Sequence, residues 1–65
     1  MKVIKCSAIL AALRKAGWEQ VRQRGSHRQF KHPTLKGTVT VNGSESTDFY
    51  GRLLKSIEAQ SGLKF

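Results

Sequence analysis

His27 is the residue whose type and neighbours could do chemistry. It lies in the run Arg24-Gly25-Ser26-His27-Arg28-Gln29-Phe30, with Lys31 next. Imidazole is the side chain that exchanges protons near neutral pH. Guanidinium and ammonium groups hold phosphate oxygens through charge-assisted hydrogen bonds. A glycine and a serine in a tight turn can also present backbone N–H groups to an anion. The run could therefore serve proton transfer on a phosphate ester or simple phosphate contact. A histidine on an exposed strand is, however, most often an ordinary surface residue, and the rest of the chain has to decide.

The charge narrows the partner. Twelve Lys and Arg stand against four Asp and Glu in 65 residues, a formal net charge of +8. Such density repels itself and opposes folding unless a polyanion neutralises it. Nucleic acid ranks first as that partner, an acidic protein second and an anionic membrane third. The basic residues are spread over several elements and not gathered on one amphipathic helix, which weakens the membrane reading. No apolar run approaches the roughly 18 residues of a membrane span. The start, Met1-Lys2-Val3-Ile4-Lys5, lacks the apolar core and cleavage site of a secretory leader. Cys6 is the single cysteine, and one cysteine with two histidines matches no zinc-site spacing. It is read as a reduced, partly buried small apolar residue, which suits a cytoplasmic protein. A chain this short folds as one domain, 1–65, and buries only about 60% of the surface its unfolded form exposes.

The elements that must position the run follow from periodicity. Residues 6–16 read as a helix with Ile9, Leu10 and Leu13 on one stripe, begun by Cys6 or Ser7 with Ser7 the better N-cap by chemistry, Arg14 and Lys15 in the last turn, and Gly17 as the stop. Residues 18–23 read as a strand with Trp18 and Val21 apolar, although their alternation is imperfect. Residues 24–26 form a tight turn, 27–32 a second strand ended by Pro33, and 33–37 a hairpin connection. Residues 38–42 read as a third strand, with Val39 and Val41 on one side and Thr38 and Thr40 on the other. A polar loop, 43–47, leads to a second helix over 48–61. Ser46 or Thr47 caps it, Asp48 suits its positive end, and Leu53, Leu54 and Ile57 form its stripe. Gly51 is an early weak point there and Gly62 is its end. Leu63 and Phe65 can fold back on the core. This order, helix, three antiparallel strands, helix, predicts an α+β fold with both helices on one sheet face.

The other face is then open. Phe30 belongs to the core, so period-two geometry places Arg28 with it and His27, Gln29 and Lys31 on the open side. Thr38 and Thr40 share that side, and Arg22 and Arg24 lie along the end of the first strand. His32 precedes Pro33 and is read as shaping the hairpin.

These residues resemble a known family. The pattern Gly17-Trp18, then "VRQRGSHRQFKHP" (21–33), "GTVTV" (37–41) and a closing "SGL" (61–63) is similar to HicA-type toxins over about residues 7–63. The resemblance implies a fold like a double-stranded-RNA-binding domain. It implies an mRNA interferase, an endoribonuclease that cuts without a metal or other cofactor and so blocks translation. It assigns the catalytic role to His27 and implies a HicB antitoxin that covers the site. Where many members continue the third strand with a proline and a histidine, this chain has Val41-Asn42-Gly43-Ser44, so that loop supplies no second histidine. Glu58 stands at an often apolar position. Metal-free cleavage asks for a general acid or base, to take the 2′-hydroxyl proton or protonate the leaving 5′-oxygen, and for cations at the crowded phosphate. His27 is the candidate for the first, and Arg24, Gly25, Ser26, Arg28, Gln29 and Lys31 for contact with RNA. Strand alternation ranks Arg24 and Lys31 above Arg28. The second proton-transfer partner is left open among His32, water and the RNA. A non-catalytic RNA-binding module with the same basic face is the alternative.

Overall fold

The apolar stripes of the helices and strands meet on one side of a small sheet. The computed structural model describes residues 2–65; Met1, part of the start read as lacking a leader, lies outside the described residues. Strand β1 (Ile4–Lys5) runs directly into helix α1 (Cys6–Lys15). Strands β2 (Glu19–Arg24), β3 (His27–Lys31) and β4 (Val39–Val41) form an antiparallel sheet in the order β2-β3-β4. Strand β5 (Asp48–Phe49) and helix α2 (Gly51–Ser61) close the fold. Cys6, Ile9, Leu10 and Leu13 of α1 and Leu54 and Ile57 of α2 share one core with Trp18, Phe30, Val39, Val41 and Phe49. Each large side chain so buried contributes roughly 1.5–3 kcal/mol. Both helices therefore cover one sheet face, as the sequence predicts. No helix among the described residues is long and apolar enough to cross a membrane.

The helix caps differ from expectation, and so does the start of the second helix. Helix α1 begins at Cys6, so Ser7 lies inside the first turn and makes no cap. The chain itself supplies the acceptors: the Cys6 N–H donates to the Thr47 carbonyl at 2.8 Å and the Ser7 N–H to the Glu45 carbonyl at 3.0 Å. The polar loop 43–47, read only as a connection, thus caps α1. Helix α2 begins at Gly51, and neither Ser46 nor Thr47 caps it. Asp48 and Phe49 instead pair antiparallel with Lys5 and Ile4, which buries Phe49 in the core. Asp48 Oδ1 meets Lys5 Nζ at 2.8 Å, an exposed pair that adds little stability.

Two apolar assignments also change. Leu53 is 63% exposed. The buried line of α2 is Leu54, Ile57 and Ser61. Ser61 can sit there because its hydroxyl donates to the Ile57 carbonyl at 2.7 Å and accepts the Leu63 N–H at 3.2 Å. Val21 is 57% exposed, for a reason that shapes the site below. The C-terminal segment behaves as predicted: Gly62 ends α2 at φ 76, and Leu63 and Phe65 pack back on the core. Glu58 accepts the Phe65 N–H at 2.8 Å and lies 3.8 Å from Lys2 Nζ, so its carboxylate ties down both chain ends.

Strand β4 is an edge of the sheet, and α2 covers it. The Thr40 N–H, which points away from β3, donates to Gln60 Oε1 at 3.0 Å, while Gln60 Nε2 donates to Ser56 Oγ at 2.9 Å. One side chain stands in for the next strand. Gln60→Ala should lower unfolding free energy by about 0.5–1.5 kcal/mol in urea with an unchanged m-value. Leu53→Ala, on the exposed side of the same helix, should stay within about 0.5 kcal/mol of the parent.

Candidate functional site

Strands β2 and β3 pair with Glu19 opposite Lys31, Gln20 opposite Phe30, Arg22 opposite Gln29, Gln23 opposite Arg28 and Arg24 opposite His27. The register shifts between Gln20 and Arg22: Val21 is the extra residue of a β-bulge. The shift decides which way the arginines face. Trp18 is buried in the core, and in an unbroken strand Gln20, Arg22 and Arg24 would point the same way as Trp18. The extra residue reverses the alternation. Gln20 and Gln23 fall on the helix side of the sheet, opposite Phe30 and Arg28, while Arg22 and Arg24 fall on the open side with Gln29 and His27.

A two-residue turn joins the strands. Gly25 has φ 59, and no residue other than glycine has positive φ among the described residues. A positive φ at the first central residue and a negative one at Ser26 is the pattern of a type II′ hairpin turn. The Gln23 side-chain amide donates to the Gly25 carbonyl at 3.0 Å and steadies it. The turn sets Arg24 directly opposite His27.

Arg22, Arg24, His27 and Gln29 line one shallow concavity of about 380 Å³. Arg22, Arg24 and His27 are all exposed. The ion pairs of the described residues, Lys2–Glu58 and Lys5–Asp48, involve neither arginine. The sequence-predicted residues Arg24, His27 and Gln29 are thus brought together, with Gly25 and Ser26 in the adjoining turn. Lys31 is on the same face, further along β3 and opposite Glu19. Arg22 completes the concavity and was missed as a site residue. The signal for it was present: Trp18 and Val21 are out of phase for one apolar face, which is how a bulge reads in a sequence.

Arg28 is placed elsewhere. It is partly buried on the helix side, opposite Val41, and its Nη1 donates to the Gly43 carbonyl at 2.7 Å. It anchors the loop that caps α1. Nearby Cys6 is fully buried, and desolvation pushes its thiol up, with the positive charge of Arg28 pulling it down and Glu45 adding to the rise. A second concavity, about 390 Å³ between β4 and α2, is lined by residues such as Phe49, Leu53, Ile57 and Gln60 and holds no titratable group.

His32 is committed to structure. Its Nδ1 accepts the backbone N–H groups of Thr34 at 3.1 Å and Leu35 at 3.2 Å, which leaves Nε2 as the protonated nitrogen, and Nε2 lies 3.0 Å from the Ala16 carbonyl. Its ring meets Trp18 edge-on with centroids 5.3 Å apart. Gly17 makes room: it has φ 98, and a Cβ there would fall 2.8 Å from His32 Nε2. Both ring nitrogens are engaged, so His32 is not free to be the second proton-transfer group. The Gly17-Trp18 pair and His32-Pro33, fifteen residues on, are two halves of one clasp.

Fold and site together define a small, strongly basic α+β domain of the double-stranded-RNA-binding-domain type, with one accessible imidazole on the sheet face away from its helices. Residues 6–63 match the family model described as the HicA toxin of bacterial toxin–antitoxin, and the chain belongs to that family. Its members are toxins of toxin–antitoxin pairs and generally mRNA interferases. No curated protein matches the chain.

The two histidines should separate in stability measurements. His32→Ala should cost about 1–3 kcal/mol by stranding its backbone partners, whereas His27→Ala should stay within about 0.5 kcal/mol of the parent in urea unfolding. A thiol reagent at neutral pH should label Cys6 only after denaturant is added, since both burial and the raised thiol oppose thiolate formation.

Proposed function

We propose that this chain is a metal-independent endoribonuclease that cleaves mRNA and so inhibits translation, with His27 as the general acid or base. The observation that carries the reading is the concavity in which the exposed His27 imidazole stands opposite Arg24 and beside Arg22 and Gln29. An imidazole there can take the proton of a 2′-hydroxyl or give one to the leaving 5′-oxygen. Arg24, directly opposite His27, is the cation placed for the charge that gathers on the phosphate in the transition state. The N–H groups of the Gly25-Ser26 turn lie at the same end of the hairpin, and Lys31 extends the basic face along β3. Arg28, held by Gly43, serves the scaffold and not the phosphate. With His32 engaged in its clasp, water or the RNA supplies the second proton transfer. His27 supplies one proton transfer and the cations around it neutralise the phosphate, which supports cleavage without a metal.

The partner follows from the same face. A HicB-type antitoxin would act by covering the His27 side of the sheet with acidic or neutral surface, in the cytoplasm where toxin and mRNA meet. Such a partner binds only the folded toxin and so also stabilises this small core by mass action.

The test is cleavage of a long unstructured RNA in EDTA beside His27→Ala. The parent should cut and leave 2′,3′-cyclic phosphate ends. The variant should lose about 10²–10⁴-fold in rate while its affinity for RNA falls little. Binding by both proteins with cleavage by neither would instead make the chain an RNA-binding module. Products with 5′-phosphate ends would reject the mechanism.

A further inference from the structure

We propose that Arg22 and Gln29 form a second phosphate subsite, one rung along the hairpin from the Arg24–His27 pair, so that the open face holds two successive phosphates of a single RNA strand. The identity of the strand as substrate rests on the ribonuclease reading; the anion subsite itself does not.

The register provides the spacing. Arg24 opposite His27 and Arg22 opposite Gln29 are neighbouring rungs on the same face. Two residues of a strand span about 6.6 Å, close to the separation of successive phosphates along an extended strand. Each rung joins one guanidinium from β2 to one imidazole or amide from β3. A guanidinium presents a planar fork of donors suited to phosphate oxygens, and a glutamine amide adds another donor. All four side chains line the same concavity, and none of them is acidic. The nearest acidic residue on this face, Glu19, lies beyond the bulge and opposite Lys31.

The bulge is the second observation. Without it Arg22 and Arg24 would both lie on the helix side of the sheet, and neither arginine would stand beside His27. The molecule instead breaks its ladder at Val21 and leaves that apolar side chain exposed. It also places two guanidinium groups side by side with no carboxylate between them. Both costs are offset if the two cations meet two anions at a fixed separation. The residues facing outward here, Glu19, Arg22, Arg24, His27, Gln29, Lys31 and Thr40, include no aromatic ring on which a base could stack. Contact is therefore with the sugar–phosphate chain.

The experiment uses deoxyoligonucleotides with one internal ribonucleotide, so that a single 2′-hydroxyl can react. The phosphates flanking the reacting one are made neutral methylphosphonates one at a time. In the parent, one flanking substitution should lower kcat/KM about tenfold and the others much less, the size of one lost charged hydrogen bond. Arg22→Gln should lower kcat/KM by a similar factor on the fully charged strand and show no further loss on that one methylphosphonate strand. Arg22→Lys, which keeps the charge and loses the fork, should fall between. Arg22→Gln with unchanged kcat/KM, or with the parent's full sensitivity at every position, overturns the subsite. If the parent cleaves nothing, the ribonuclease reading falls, and the same strands carrying a 2′-O-methyl group are compared by binding. A flanking methylphosphonate that weakens the parent but not Arg22→Gln then retains the subsite, and equal weakening of both removes it. Melting curves of the variants check folding, which an exposed residue such as Arg22 should leave unchanged.

Discussion

Trp18 must be buried and Arg22 must not, yet a regular strand would point both the same way. The whole organisation of the hairpin answers that conflict. Trp18 has to enter the core because the small chain has few large side chains to fill it, and its ring also meets His32. Four residues later the chain carries a cation that cannot follow it inward without a partner. One extra residue at Val21 reverses the alternation. From there to the turn every odd position faces the helices and every even one faces out. The placement of Arg22 and Arg24 beside His27 is a result of that reversal and not of local preference.

The remaining structure shows how a small fold meets its polar obligations with single residues. Backbone carbonyls of Thr47 and Glu45 receive the first N–H groups of α1. Arg28 steadies that loop through Gly43. Ser61 folds its hydroxyl back on its own helix, and Glu58 receives the last N–H of the chain. One buried group is left out: the Trp18 indole N–H finds no acceptor among the described residues. An unpaired buried donor costs about 1–3 kcal/mol, which the burial of so large a ring can offset. His27 and His32 illustrate the division of labour. They are the same residue type, five positions apart. One is held by three polar partners in a fixed tautomer, and the other stands exposed among cations.

Much of this was legible in the sequence because strong patterns carried it. The stripe of Ile9, Leu10 and Leu13, the alternation of Val39 and Val41, and the glycines at 17, 25 and 62 gave the main helices, strands and ends. Phe30 settled which way His27 faces, since a buried aromatic three residues later leaves no choice of side. What stayed hidden depended on partners distant in the chain. Strand β5 has two residues and no pattern of its own; it exists because Ile4 and Lys5 offer it a neighbour. Ser7 is a good cap by chemistry, but carbonyls from the 43–47 loop took the place it would have served. Leu53 and Leu54 are adjacent on a helix, and only the position of the sheet decides which is buried. Arg22 was visible as charge but not as a site residue, because its direction depends on a bulge that alternation alone signals only as an irregularity.

The side chain of Gln60 has a consequence for assembly. It occupies the outer edge of β4, while β2 at the other end of the sheet keeps its edge free, with all six residues exposed. Fibre growth by strand addition needs two open edges on every copy, so that each newcomer presents a fresh one. A sheet closed on one side cannot propagate in that way. Pairing through β2 would end with two copies related by a two-fold axis, and the like charges of Arg22 and Arg24 would oppose even that. This very basic chain thus has growth blocked on one edge by an amide and resisted on the other by charge.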